Sequence, residues 1–232
     1  MTRIALVSTS DTDLLSARAS GADYAVVNPA RTDPATAVHG ADVVVVRLLG
    51  APQDLPDLWP GMQATVDAGT PVVVLGGEQA PNAALMELST TPAGVASTAH
   101  GYLAEGGPTN LASLHAFLGD TLLLTGEGFD PVVPTPAWGV AERPGATPTE
   151  GGPRIGILYY RAQHVAGNTA YVHALADAVD ADGGAGEPVF VSSLRDAETE
   201  LLEHLRRYDG LVTTVLAAGG TRAADASAGG AE

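Results

Sequence analysis

The stretch RAQHVAGNT, residues 161–169, carries the side chains best suited to chemistry in this chain. His164 is a candidate metal ligand or catalytic proton carrier, because imidazole titrates near neutral pH and binds Co²⁺ or Zn²⁺ through a ring nitrogen. The alternative for His164 is a solvated or hydrogen-bonded surface histidine. Arg161 is placed either to bind a ligand carboxylate or to form an internal salt bridge at the end of a strand. Gln163 adds an amide to the same polar patch.

The triplet Gly167-Asn168-Thr169 stands where a helix is predicted to begin. Glycine supplies flexibility, and an Asn or Thr side chain caps the free N–H groups of the first helical turn. A helix N-terminus also carries about half a positive charge, which favours a carboxylate or a phosphate. Asn168 and Thr169 are therefore candidates for capping and for substrate binding. Neither GxGxxG nor GxxxxGK[ST] occurs, so no nucleotide loop of known pattern is present.

A complete metal site is not recognisable in the sequence. The chain has no Cys, which excludes thiolate ligands and disulfides. Five further histidines form no HxH, HxxH or HxxxH spacing; they stand at positions 39, 100, 115, 173 and 204. His164 is thus a candidate metal ligand without a recognisable second ligand.

The elements that must position this patch alternate between strand and helix. The sequence predicts strand 154–160, helix 169–181, strand 188–192, helix 196–207 and strand 209–215. The patch lies between the first strand and the first helix, where α/β proteins usually hold their ligands. Three parallel strands with two crossovers leave one face uncovered and one edge unpaired. The second half is therefore predicted to be a truncated α/β unit.

The first half shows the same alternation. Its β-branched runs lack polar alternation, as is typical of parallel strands covered on both faces; they are 3–10, 24–30, 42–50 and 71–77. Helical segments separate the strands, at 12–19, 34–39 and 57–68. Two further helices are predicted at 93–106 and 109–124, the second with Thr109 or Asn110 as its N-cap. The fold class is α/β, with two successive parallel-sheet units that are Rossmann-like.

Composition changes along the chain divide it into four parts. Residues 1–125 form an α/β head domain with the two added helices, and 126–153 form a linker in which Pro and Gly recur too often for regular structure. Residues 154–216 form the partial second α/β domain, and 217–232 are a low-complexity tail.

The charge balance argues against two classes of partner. Eleven cationic residues, all Arg, stand against 27 acidic ones, which gives a formal charge of -16. Nucleic acid and anionic membranes would be repelled over most of such a surface. The chain has no signal-peptide pattern and no run of about 18 apolar residues that could span a bilayer. A cytoplasmic location is expected.

Three segments of the second half stand in the same order as in a known protein family. They are PRIGILYYRAQHVAGNTAYVHALADAV, EPVFVSSLR and YDGLVTTVLAAGGT. Together with HGYLAEGGPTNLASLHAFLGDTLLLTGEGFDP upstream, they resemble the N-terminal region of the large CobN-type subunit of aerobic cobaltochelatase. That family is a relative of the magnesium chelatase H subunit. The resemblance extends over nearly the whole chain.

The resemblance implies a subunit that binds hydrogenobyrinic acid a,c-diamide, a corrin precursor, together with Co²⁺ as the substrate metal. The enzyme that the resemblance implies is an ATP-dependent ligase of cobalamin biosynthesis. Its implied partners are an AAA+ ATPase subunit and a subunit with an integrin I domain. ATP and Mg²⁺ belong to those partners, which agrees with the missing P-loop. Family proteins are far longer, so this fragment alone is expected to be inactive.

One departure from the family and two alternatives remain open. Many relatives read YYRAHHLAGNT, so the first histidine of that pair is Gln163 here, whereas His164 is kept. One alternative function is a non-catalytic docking or scaffold fragment for the chelatase partners. The other is a degenerate cobalamin-binding module, since His164-x-x-Gly167, Ser192-x-Leu194 and Gly219-Gly220 follow in that module's order. Ala162 replaces the Asp that such a module carries two residues before its histidine.

Overall fold

The computed structural model describes residues 2–49, 58–146, 151–195 and 197–215. The predicted tail 217–232 lies outside the described residues. The chain divides into two compact units. Residues up to Thr135 form the first unit together with Val165–Gly167, and Pro136–His164 form the second with the described residues from Asn168 onward.

The first unit contains a four-stranded parallel sheet, which confirms the predicted fold class. Its strands are β1 (Ile4–Ser8), β2 (Tyr24–Val27), β3 (Val43–Leu48) and β4 (Val72–Gly76), in the order β2-β1-β3-β4. Helices connect the strands: α1 (Asp11–Ala19), α2 (Ala35–Val38) and α3 (Leu58–Asp67). After β4 come α4 (Ala83–Met86), α5 (Ala93–Glu105), α6 (Gly107–Leu118) and a π-helical turn (Gly119–Leu123).

Both faces of this sheet are buried, as its β-branched runs predict. Alternate residues of β1 and β3 point to opposite faces, so that Ile4 and Val43 pack in one cluster while Ala5 and Val44 pack in another. Helices α5 and α6 cover the first of these faces, through residues such as Leu114. This burial on both sides explains why the strands are apolar without alternation.

Helix α6 differs from the prediction at its start. It begins at Gly107, so Thr109 and Asn110 lie inside the helix and neither is the N-cap. Asn110 is instead buried, and its side-chain amide nitrogen donates to the carbonyls of Gly106 and Val133, at 2.8 and 2.9 Å. Its oxygen accepts from the Val133 backbone N–H at 2.9 Å. The Asn110 amide therefore fixes the backbone at Val133 against α6.

The second unit has four strands in the order β5-β7-β6-β8. They are β5 (Trp138–Val140), β6 (Arg154–Tyr160), β7 (Ala185–Val191) and β8 (Gly210–Thr213). Strands β6, β7 and β8 are parallel. Helices α7 (Arg161–Val165), α8 (Ala170–Ala181) and α9 (Thr199–Leu205) lie between them. On β8, Leu211 and Val212 are exposed.

Strand β5 corrects the prediction of a linker without regular structure over 126–153. It pairs antiparallel with β7, Trp138 opposite Val191. Strand β5 has only three residues, in a segment rich in Pro and Gly, which is too short to show the periodicity that predicts a strand. Gly139 has no side chain to obstruct Phe190 of β7, whose ring would lie 2.7 Å from a Cβ atom at that position. The second sheet is thus parallel with one antiparallel edge strand.

Arg143, which follows β5, holds this edge against α8 and β7. Its guanidinium donates to the Gly186 carbonyl at 2.6 Å and to the Asp180 carboxylate at 2.8 Å. Asp180 also accepts from the Gly186 backbone N–H at 2.8 Å. These hydrogen bonds, with that from Arg143 the largest cause, lower the pKa of Asp180 below its ordinary value.

We expect Asp180→Asn to destabilise the second unit by about 1 kcal/mol at neutral pH, because a hydrogen-bonded charge is lost. A depressed carboxyl pKa stabilises the folded state above the ordinary value of 3.8, and this stabilisation disappears as pH falls through the lower folded pKa. The difference between the two proteins should therefore vanish in acid. Urea unfolding across pH measures it. Asp177→Asn is the matched control, because Asp177 is 71% exposed; an equal effect there would contradict the assignment.

Candidate functional site

The carboxyl end of β6 lies at the topological switch point of the second sheet. The strands that follow β6 in the chain, β7 and β8, lie on its two opposite sides. Connections leaving such a point diverge and open a crevice, where open α/β sheets bind ligands. The stretch 161–169 therefore stands where the sequence analysis placed it.

Part of this stretch is helical. Residues Arg161–Val165 form the five-residue helix α7 directly after β6, and Gly167 follows with φ 70°. Strand β6 runs directly into this helix, since no Gly or Pro stands between Tyr160 and Arg161. Gly167 adopts a left-handed conformation, which ends the helix. This short helix, referred to below as the α7 turn, carries Arg161, Gln163 and His164.

The imidazole of His164 is held by two aromatic residues. Its ring stacks on Phe190, with centroids 4.0 Å apart and planes 12° apart. Its Nδ1 atom is 2.9 Å from the hydroxyl of Tyr159, which is fully buried. Burial lowers the pKa of His164, and electrostatic interaction with Arg161 and His173 lowers it further. The ring is therefore mainly neutral at pH 7.

Gln163 is held by a second tyrosine. The hydroxyl of Tyr171 donates to Gln163 Oε1 at 2.5 Å and lies 3.2 Å from Thr214 Oγ1. Thr214 donates in turn to the carbonyl of Leu158 in β6, at 2.9 Å. This network joins the α7 turn, helix α8 and the end of β8. The Tyr171 hydroxyl thus contacts residues that follow the carboxyl ends of two neighbouring strands, β6 and β8.

Arg161, Asn168 and Thr169 complete the set of predicted site residues. The Nε atom of Arg161 donates to the carbonyl of Pro136 at 3.0 Å. Asn168 is exposed, and its backbone N–H donates to the carbonyl of Gln163 at 2.9 Å. Thr169 is the N-cap of α8, but its side chain makes no capping hydrogen bond, so the predicted side-chain cap is wrong. The backbone of this segment, rather than its side chains, forms the turn.

The described residues contain no group of three His, Cys, Asp or Glu side chains that could hold a metal ion. His164 has aromatic neighbours in place of further ligands. One imidazole alone does not provide the three or four ligands of a stable Zn²⁺ or Co²⁺ site.

Sequence reasoning missed four residues that shape the site, namely Tyr159, Tyr171, Phe190 and Thr214. The sequence places Tyr159 only in the predicted strand 154–160 and Tyr171 only in the predicted helix 169–181. Thr214 lies near the carboxyl end of the predicted strand 209–215, and the carboxyl ends of parallel strands lie on the same side of the sheet as the α7 turn. No comparable signal identifies the two tyrosines, whose partners depend on side-chain packing.

The corresponding position in the first sheet is filled by the protein itself. The strand order β2-β1-β3-β4 puts its switch point between β1 and β3. There the guanidinium of Arg47 is 2.7 Å from the Asp13 carboxylate and 2.9 Å from the carbonyls of Leu103 and Gly77. Both charged side chains are buried, 7% and 6% exposed. A buried ion pair thus lies at the switch point of the first sheet, and the candidate site lies at the switch point of the second.

These features define an α/β protein that presents a polar turn at the switch point of its second sheet. Residues 100–232, more than half of the chain, match the model of the CobN/Magnesium Chelatase family. The chain belongs to this family. Within the residues that the structure describes, no helix has the length and apolar content needed to cross a membrane.

Two relatives are of special interest. The chain is 34% identical over 184 residues to the aerobic cobaltochelatase subunit CobN of Sinorhizobium sp., a match that covers 70% of this chain and 14% of that protein. It is 50% identical to the catalytic subunit of cobaltochelatase from Mycobacterium tuberculosis, with a TM-score of 0.79 over 95% of this chain. It spans 19% of the length of that solved chain.

Proposed function

We propose that this chain is the N-terminal part of the corrin- and cobalt-binding subunit of an ATP-dependent cobaltochelatase. The observation that carries the proposal is its 50% identity to a cobaltochelatase catalytic subunit across 95% of the chain. The substrate is hydrogenobyrinic acid a,c-diamide, and Co²⁺ is the metal inserted. The location is cytoplasmic.

In this proposal the α7 turn contributes one wall of the corrin site. The turn is polar, stands at a switch point and is supported by a buried aromatic cluster, which together suit a ligand that needs fixed hydrogen bonds. Arg161, Gln163, Asn168 and Thr169 contact the macrocycle periphery. Arg161 carries the positive charge that a corrin carboxylate requires, in a chain whose formal charge is -16.

Cobalt insertion demands that Co²⁺ lose water and that two pyrrole protons leave the macrocycle. A mainly neutral imidazole can hydrogen-bond to the substrate or take part in proton removal without first losing a charge. We assign this role to His164. A cobalt ion contacts it only transiently, because three-ligand groups are missing from the described residues. An AAA+ subunit and a subunit with an integrin I domain supply ATP hydrolysis with Mg²⁺, so the isolated chain is inactive.

The proposal is tested by titrating the 232-residue chain with hydrogenobyrinic acid a,c-diamide, following the corrin absorbance and the fluorescence of Trp59 and Trp138. We expect saturable binding that falls about tenfold or more in His164→Ala, since a hydrogen bond to a charged or polar ligand group is removed. His39→Ala is the control, because His39 is exposed and lies in the first unit.

Equal affinity in wild type and His164→Ala would remove His164 from the site. A folded wild-type chain that binds no corrin would place the macrocycle elsewhere in the subunit. If that chain still bound the partner subunits, the docking-fragment function would replace the one proposed here.

A further inference from the structure

Gln163 and His164, the two polar side chains at the centre of the α7 turn, share one feature. In each of them, one polar atom is in hydrogen-bond contact with a tyrosine hydroxyl. For Gln163, the distance of 2.5 Å to Tyr171 identifies that atom. An O–H···O contact spans about 2.5–3.0 Å, whereas N–H···O contacts begin at about 2.7 Å. The Gln163 oxygen therefore faces Tyr171, and the amide nitrogen faces away from it.

For His164, the bonding of Tyr159 identifies the tautomer. The Tyr159 side chain is fully buried, and in the described chain its hydroxyl has one partner, His164 Nδ1. If Nδ1 carried the proton, it would donate to the Tyr159 oxygen and leave the tyrosine proton buried without an acceptor. Burying an unsatisfied donor is costly. Tyr159 therefore donates to Nδ1, and the proton of the neutral imidazole resides on Nε2.

The remaining polar atoms of both side chains are consequently donors. Neither the amide nitrogen of Gln163 nor Nε2 of His164 has a hydrogen-bond partner in the described chain. His164 is partly exposed to solvent. Arg161, on the same turn, has a guanidinium that only donates.

We propose that Tyr159 and Tyr171 are positioning residues that make the α7 turn a surface of hydrogen-bond donors, selective for carboxylate and carboxamide oxygens. A metal ion needs a lone pair, and His164 offers none in this arrangement, while the Gln163 oxygen, which keeps a second lone pair, faces Tyr171. Nε2 can accept a pyrrole proton or contact cobalt, as the proposed function requires, only after the imidazole proton moves and the Tyr159 bond to Nδ1 is lost. The assignment of the oxygens to a corrin rests on the proposed function; the orientation of the two donors does not.

The chemistry of the proposed substrate fits such a surface. Hydrogenobyrinic acid a,c-diamide carries carboxylates and carboxamides around its ring, and each of their carbonyl or carboxylate oxygens accepts hydrogen bonds. A donor surface binds the periphery of the macrocycle and leaves its metal-binding nitrogens free.

The direct test is long-range ¹H–¹⁵N NMR of the full 232-residue chain with ¹⁵N-labelled histidine, recorded above the pKa of His164. We expect the Nε2–H pattern for His164 and no change in its signals on addition of Zn²⁺ alone, used as a diamagnetic probe. An Nδ1–H pattern, or a wild-type His164 that coordinates Zn²⁺ through Nε2, would overturn the proposal.

The second arm measures the role of the two hydroxyls. Tyr159→Phe and Tyr171→Phe each keep the ring, and each should weaken binding of hydrogenobyrinic acid a,c-diamide about tenfold because one donor loses its orientation. Tyr208→Phe is the matched control. Tyr208 also bonds a histidine, His204, at 2.9 Å. It lies just before β8, at the amino end of that strand, whereas the α7 turn follows the carboxyl end of β6.

Unchanged corrin affinity in both site variants would overturn the positioning role of the tyrosines. If the wild-type chain binds no corrin at all, the proposed function fails, whereas the NMR pattern still decides whether the turn is a donor surface. Dispersed amide spectra establish that each variant is folded.

Discussion

Arg47→Met should destabilise the first unit by about 3–5 kcal/mol, because it leaves the carboxylate of Asp13 buried without its counter-ion. Asp13 would retain only uncharged hydrogen-bond donors, such as the Ser8 hydroxyl at 2.7 Å. The carbonyls of Gly77 and Leu103 would also lose their donor. Urea unfolding combined with hydrogen exchange of the β1 and β3 amides measures the change within this unit.

Acidification should reduce this loss. Burial raises the pKa of Asp13 in the folded protein, and the charge of Arg47 opposes that shift. Without Arg47 the pKa rises further, so the unfavourable charge is removed as pH falls and Asp13 becomes protonated. A raised carboxyl pKa favours the folded state most below the unfolded value and least above the folded one. The destabilisation of Arg47→Met should therefore be largest at neutral and alkaline pH.

A double variant separates the charge effect from lost packing. Arg47→Met with Asp13→Asn should be more stable than Arg47→Met alone, because no uncompensated charge remains. Arg18→Met, at an exposed position of α1, is the control and should change stability by no more than about 0.5 kcal/mol. A double variant as unstable as Arg47→Met alone would show that the ion pair is not the cause.

Gly186→Ala should destabilise the second unit by about 1–3 kcal/mol. A Cβ atom at Gly186 would lie 2.7 Å from both Cα and the carbonyl oxygen of Ala176 in α8. These are backbone atoms, so no side-chain rotation relieves the clash, and α8 must move away from β7. Tyr171 belongs to the same helix, and its contact with Gln163 should weaken as well. Urea unfolding measures the stability, and the Gln163 amide signals report the displacement.

Gly94→Ala provides the opposite control. Gly94 lies in α5, a Cβ atom added there would have no neighbour within 4 Å, and its φ is not positive. Replacing such a glycine reduces the entropy of the unfolded chain, so we expect stabilisation of about 0.4–1 kcal/mol. Stabilisation by Gly186→Ala would show that α8 is free to move and that the close packing is not required.

The sequence predicts the elements well where burial is a local property. In β3 (Val43–Leu48), every residue is buried, and the β-branched run indicates a strand covered on both faces. Gly167 and the helical spacing after it locate the turn between β6 and α8. The position of the candidate site follows from this order of elements alone, because α/β units place ligands at the carboxyl ends of strands.

Packing between distant residues lies beyond such patterns. Asn110 is predicted at a helix start but is buried within α6, where its amide satisfies the backbone of Val133. Strand β5 has too few residues to show a period of hydrophobic residues. It forms by pairing with β7, which lies far along the chain.

By itself, the sequence determined the alternation of strands and helices, the charge balance and the polar residues that follow β6, since each of these depends on neighbours along the chain. Only the tertiary structure decided that Arg47 pairs with Asp13 at the switch point of the first sheet, and that the hydroxyls of Tyr159 and Tyr171 contact His164 Nδ1 and Gln163 Oε1. The physical reason is that a side chain's hydrogen-bonding role depends on which atoms face it, and folding brings those atoms together from separate elements.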